Sequence, residues 1–148
     1  MRILSIAVLV GVTANWAAAQ SREGLCSLSA MEIADEAQVS QLLAQAENPF
    51  IRCYDGYTPL HVAVSANNLL AVRQLAGAGS DLNARNDFGS TPLHVAILAS
   101  NPSAVELLLD LGADIHSFGP DAMSPWAFAR QWGEAEIVRI LVARGARM

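Results

Sequence analysis

A chain of 148 residues has room for one modest domain, so a multi-domain architecture is disfavoured. With 9 basic and 14 acidic residues it carries a formal charge of −5, which argues against nucleic acid and anionic membranes as partners.

The first predicted element is a cleavable signal peptide over residues 1–19. Arg2 adds positive charge, residues 3–12 form an apolar run, and the three alanines at 17–19 offer a cleavage site. The run is shorter than the roughly 20 residues that span a bilayer, which favours cleavage over a membrane anchor. We therefore expect a periplasmic chain over 20–148, without membrane association after cleavage.

The two cysteines, Cys26 and Cys53, are expected to form a disulfide bond, because thiols tend to pair in oxidising compartments. The alternative is two buried free thiols. A metal site is a weaker interpretation, since two lone cysteines without nearby histidine or cysteine ligands cannot complete a tetrahedral set.

A repeat of 33 residues dominates the sequence that follows. The hexapeptide T-P-L-H-V-A at Thr58 to Ala63 recurs at Thr91 to Ala96, and a degraded copy, S-P-W-A-F-A, follows at Ser124 to Ala129. A proline after Thr or Ser predicts the first turn of a helix, and the later glycine of each unit predicts where a second helix ends. These glycines are Gly79, Gly112 and Gly145.

Two units depart from the pattern. Projecting the period backwards adds an atypical first unit, with Leu25 at the Thr position, Val39 on its outer helix, and a predicted capping box at 35–38 that opens this helix. The loop that follows this helix, at residues 46–49, lacks the glycine that ends the outer helix of the other units. In the last unit Ala122 replaces the turn glycine, so we expect that turn to deviate.

T-P-L-H-x-A at a period of 33 residues is the signature of ankyrin repeats, and the chain resembles that family over about 25–148. The resemblance implies an all-α repeat solenoid of about four stacked ankyrin repeats, each a helix-turn-helix unit with β-turn connections, in one domain over 20–148. The implied repeats span about 25–57, 58–90, 91–123 and 124–148.

The histidines are the obvious candidates for chemistry. His61 and His94 occupy the repeat's structural position, where the imidazole can tie the inner helix to a neighbouring turn, and His116 lies alone in a predicted loop. No cysteine or carboxylate stands at a spacing that would complete a metal site with either histidine. The sequence also contains no nucleophile elbow and no phosphate-binding glycine motif. We therefore predict no enzymatic activity, no cofactor and no metal.

The family resemblance implies that the turn tips and inner helices form a concave binding face. Tyr57, Phe88 and Trp132 are favoured for partner contact because aromatic residues are typical interface anchors, whereas Trp126 takes the buried leucine position of the repeat. The aspartates of this face suggest a basic partner surface. Carried over by position, the face comprises Tyr54, Asp55, Tyr57, Ser65, Asp87, Phe88, Ser90, Leu98, Asp121, Met123, Gln131 and Trp132.

The predicted function is a non-enzymatic protein–protein interaction module in the periplasm, which binds an unknown protein partner through the concave face and acts as a monomer. An alternative is an immunity or protective protein that blocks a toxin or stabilises a periplasmic enzyme. The disulfide would tie the first unit to the second and contribute about 2–4 kcal/mol.

Overall fold

The computed structural model describes residues 25–27, 31–32, 34–45 and 51–147. The predicted signal peptide and the predicted exit of the first unit lie outside these residues. Seven α-helices and no β-strand occur in the described part, which confirms the all-α repeat prediction. The helices are α1 (Glu36–Gln45), α2 (Pro59–Ser65), α3 (Leu69–Gly77), α4 (Pro92–Leu98), α5 (Pro102–Asp110), α6 (Pro125–Gln131) and α7 (Ala135–Ala143).

The inner helices α2, α4 and α6 each begin at the predicted proline, where the missing N–H leaves no bond unmade. Thr58 caps α2 through its hydroxyl, which accepts the N–H of His61 at 3.4 Å. Ser124 caps α6 in the same way, 3.3 Å from the N–H of Ala127. The hydroxyl of Thr91 lies 2.8 Å from Nδ1 of His94 and makes no such bond to the main chain of α4.

Two of the outer helices, α3 and α5, begin at asparagine caps. Asn68 and Asn101 each accept the N–H of the third residue that follows, at 3.0 and 3.1 Å. The predicted capping box of α1 is confirmed: Gln38 N–H donates to Asp35 Oδ1 at 2.8 Å, and Asp35 N–H donates to Gln38 Oε1 at 2.9 Å.

Helices of the same kind stack on one another along the array. Inner helix α4 packs between α2 and α6, while the outer helices pack in the order α1, α3, α5 and α7. The apolar side chains between the two layers form one continuous core. Leu60 and Leu93 of the inner layer and Leu75, Leu108 and Leu141 of the outer layer are fully buried in it.

The first unit joins this core, as the projected period predicts. Leu25 and Val39 are buried in it. The side-chain amide of Asn68 donates to the carbonyl oxygens of Met31 and Ala34, both at 2.8 Å, so polar contacts also fix the unit against the second one.

The last turn keeps the geometry of the turn at Tyr54–Gly56, so the expected deviation at Ala122 is wrong. Ala122 has a φ of 56°, close to the 69° of Gly56. The turn is held by two backbone bonds: the Met123 N–H donates to the Pro120 carbonyl at 3.0 Å, and the Gly119 N–H donates to the Met123 carbonyl at 2.8 Å. These bonds offset the cost of a left-handed alanine, about 1–2 kcal/mol.

Candidate functional site

His61 and His94 are fully buried and bonded at both ring nitrogens. Nε2 of His61 lies 3.0 Å from the carbonyl oxygen of Ser90, and its Nδ1 accepts the N–H of Thr58 at 3.1 Å. Nε2 of His94 lies 3.3 Å from the carbonyl oxygen of Met123. Because a carbonyl oxygen only accepts, both rings carry a proton on Nε2, and each ring ties an inner helix to the next turn.

Burial keeps both rings neutral. It lowers the pKa of His94 to about 4, although the carbonyl of Met123 acts in the opposite direction. Burial also lowers the pKa of His61. No group of three or more His, Cys, Asp or Glu side chains in the described ranges is arranged to hold a metal ion. The two histidines are therefore structural ties between repeats.

Exposed aromatic and acidic side chains lie on the three turns that precede the inner helices. Tyr54 is 81% exposed and Phe88 is 62% exposed, as is expected of binding residues. Phe118, which sequence reasoning missed, is 63% exposed at the base of the last turn. Three exposed aspartates accompany these rings. We call this set the turn-tip surface: Tyr54, Asp55, Asp87, Phe88, Phe118 and Asp121.

Neighbouring turns touch one another, so the turn-tip surface is a continuous row. The N–H of Asp87 donates to the carbonyl oxygen of Asp55 at 2.9 Å. Arg52 reaches across to the next unit, where its Nη1 donates to the carbonyl oxygen of Arg85 at 2.6 Å. Arg85 in turn donates from Nε to the carbonyl oxygen of Gly89 at 3.2 Å. These bonds fix the first two turns relative to each other.

A second group of predicted residues lies at the carboxyl ends of the inner helices. Leu98 and Trp132 are exposed there, the latter by 57%, together with Ser65 and Gln131. The Trp132 ring lies 6.1 Å from the ring of buried Phe128, which supports it from below. A helix of seven residues is about 10 Å long, so this helix-end group lies roughly that far from the turns. We call Ser65, Leu98, Gln131 and Trp132 the helix-end group.

Three predicted residues are less accessible than expected. Ser90 is buried, because the side chain of Asn86 accepts its N–H at 2.8 Å and its carbonyl receives the His61 bond. Tyr57 is half-buried, with its ring 5.4 Å from the ring of His61, and Met123 is half-buried against the core. Tyr57 and Met123 therefore combine a packing role with only partial access to solvent.

Trp126 is only partly buried, although it occupies the position of fully buried Leu93. It packs against the core, and the guanidinium carbon of Arg130 lies 5.4 Å from its ring centroid. Arg130 is exposed where the preceding unit has buried Ile97. The expected core position of Trp126 is thus only half correct, because no described unit packs on this side of α6.

A disulfide bond joins Cys26 and Cys53, whose Cα atoms are 5.5 Å apart. Cys53 immediately precedes the turn that holds Tyr54, and its N–H donates to the carbonyl oxygen of Tyr57 at 2.6 Å. The bond therefore ties the first unit to the base of the turn-tip surface.

Comparisons with known proteins agree with this architecture. The family model described as ankyrin repeats (3 copies) matches residues 26–119 and, in a second overlapping match, residues 71–148. Comparison with curated proteins finds no match. No helix in the part of the chain that the structure describes is long and apolar enough to cross a membrane. Ankyrin repeats are in general protein–protein interaction modules, and the fold is typically a non-enzymatic scaffold. The chain belongs to the ankyrin-repeat family.

Proposed function

We propose that this protein is a non-enzymatic interaction module that acts in the periplasm as a monomer. It binds a protein partner through the concave face of the repeat array, which comprises the turn-tip surface and the helix-end group.

The observation that carries this proposal is the exposure of aromatic side chains on one face. Tyr54, Phe88 and Trp132 are each more than half exposed on turns or helix ends that are fixed by packing and hydrogen bonds. Rings that are exposed to solvent add nothing to the packing of the core. Aromatic anchors on a rigid surface, in contrast, contribute strongly to protein interfaces.

The proposed compartment rests on two features. The first 19 residues have the charge, apolar run and small-residue site of a secretory signal peptide. The Cys26–Cys53 disulfide suits an oxidising compartment. Amino-terminal sequencing of the protein recovered from a periplasmic fraction tests this part: a chain that begins at Gln20 supports export, and one that begins at Met1 in the cytosol contradicts it.

The binding face is tested by affinity capture from periplasmic extract with residues 20–148 as bait. The test variant replaces Tyr54, Phe88 and Trp132 by alanine. The matched control replaces Leu70 and Val142 by alanine, because these apolar side chains are about half exposed on the outer helices α3 and α7. Circular dichroism establishes that both variants remain folded.

A partner that the control retains and the triple variant loses supports the concave face as the binding site. A partner that both variants retain contradicts it. The activity of a captured enzyme or toxin, measured with and without this protein, then distinguishes a protective role from an inhibitory one.

A further inference from the structure

We propose that the Cys26–Cys53 disulfide is a redox-sensitive tie that holds the first unit on the repeat array. A dithiol reductant that breaks this bond releases the first unit from the second, while the other three units stay stacked. This property goes beyond the proposed function and holds whichever face binds the partner.

The later junctions between units are tied by histidines. Nε2 of His61, near the start of inner helix α2, donates to the carbonyl oxygen of Ser90 at 3.0 Å. The same carbonyl accepts the N–H of Asn86 at 3.0 Å, so this tie ends at the base of the next turn. His94 makes the equivalent tie one unit later, to the carbonyl oxygen of Met123 at 3.3 Å.

The junction between the first and second units has a disulfide in place of a histidine tie. The 33-residue repeat puts Leu28 at the position of His61, and a leucine side chain cannot form a hydrogen bond. Cys26 stands two residues before Leu28, at the position of the proline that begins each later inner helix. Cys53 lies at the base of the next turn, where its N–H donates to the carbonyl oxygen of Tyr57 at 2.6 Å. The disulfide therefore joins the same two places that a histidine joins at the later junctions.

The other contacts of the first junction leave part of it poorly satisfied. Asn68 and Gln74 of the second unit donate to main-chain carbonyl oxygens of the first, but Oε1 of Gln74 is buried without a hydrogen-bond partner. A buried acceptor without a partner weakens the junction. An open cavity of about 330 Å³ also lies here, lined on one side by Asp35 of the first unit and on the other by Leu70 of the second. The first unit therefore depends on the disulfide.

Thiol–disulfide exchange opens this tie and leaves the others intact. Both cysteines are partly exposed, so a small dithiol can reach the bond. One thiolate of the dithiol attacks a sulfur atom and forms a mixed disulfide, which the second thiolate then displaces. Two electrons and two protons pass to Cys26 and Cys53, which become thiols, while the dithiol becomes a disulfide. The hydrogen bonds of His61 and His94 take no part in this exchange, and three stacked repeats are enough for a continuous core.

Amide hydrogen exchange of the chain 20–148, with and without dithiothreitol, tests the release. Exchange in α1 should become at least about tenfold faster in the reduced chain, because the constraint on the first unit is lost. Exchange in α5 and α7 should change by less than about twofold. Mass spectrometry after thiol labelling establishes that both cysteines are reduced. The variant C26S, measured without reductant, should match the reduced wild type and should not respond to dithiothreitol.

Faster exchange in α1 alone supports the proposal. Equal exchange in α1 of the oxidised and fully reduced chains would overturn it. A similar acceleration in α1, α5 and α7 would also overturn it, because the disulfide would then hold the whole array and not the first unit. A response of C26S to dithiothreitol would show that the reductant acts by another route than this bond.

Discussion

Acidification should destabilise the protein through its two buried histidines. His94 is neutral in the folded chain, with a pKa lowered to about 4 by burial, whereas an unfolded chain gives histidine its usual pKa of about 6.5. Between these values the unfolded state binds more protons than the folded state, so the free energy of unfolding falls as the pH falls. His61, whose pKa is also lowered by burial, acts in the same direction.

The size of the effect follows from the two pKa values. Their difference corresponds to a loss of about 3 kcal/mol once the pH lies below both. Between about pH 7.5 and about pH 5, His94 alone accounts for about 2 kcal/mol of that loss. For a domain with a total stability of about 5–15 kcal/mol, such a change is readily measured.

Urea unfolding followed by circular dichroism at the two pH values measures this loss. The variant His94→Gln removes the titrating group, so its stability should fall by about 2 kcal/mol less than that of the wild type over the same interval. His116→Gln is the matched control, because it replaces a histidine whose side chain is exposed in a loop. Equal falls for the wild type and His94→Gln would refute the reasoning.

Three further substitutions test the local accounts of the fold, all by urea unfolding at neutral pH. Ala122→Gly should stabilise the chain by about 0.5–1 kcal/mol, because glycine removes the left-handed strain but makes the unfolded chain more flexible; no gain would contradict the strain. Gly119→Ala should cost about 1–3 kcal/mol, since its Cβ would lie closer to the His94 ring than van der Waals contact allows, and a neutral result would mean that the ring moves aside without cost. Cys53→Ser should cost about 2–4 kcal/mol in non-reducing buffer, because it removes the disulfide bond to Cys26. The wild type should lose a similar amount when a reductant is added, and a wild type that keeps its stability would show that the disulfide is not responsible.

The elements that local chemistry determines could be predicted from the sequence. The prolines at positions 59, 92 and 125 begin the inner helices because their preference for the first turn is a property of the residue itself. The glycines that close the outer helices adopt positive φ for the same kind of reason. The helix boundaries are therefore among the confirmed predictions.

Features that depend on neighbouring units could not be predicted in this way. Ala122 was expected to alter its turn, but the bonds made by Met123 and Gly119 retain the geometry. Its position in the repeat predicts Ser90 on the binding face, but contacts with His61 and Asn86 bury it. At Ser90 the contact with His61 of the preceding unit outweighs the position in the repeat, whereas at Ala122 main-chain bonds within residues 119–123 hold the turn.

Phe118 is the main omission from the predicted binding face. Its signal was present in the sequence, because an aromatic residue stands where the two preceding units have Arg52 and Arg85. A comparison of the units at every position, and not only within the hexapeptide, would have detected the change.

Amide hydrogen exchange of the chain with and without its captured partner tests the concave-face claim most directly. The account predicts slower exchange on binding at residues 54–57, 86–90 and 118–123 and at the carboxyl ends of α4 and α6, with the outer helices α3 and α5 unchanged. Protection confined to the outer helices would contradict it.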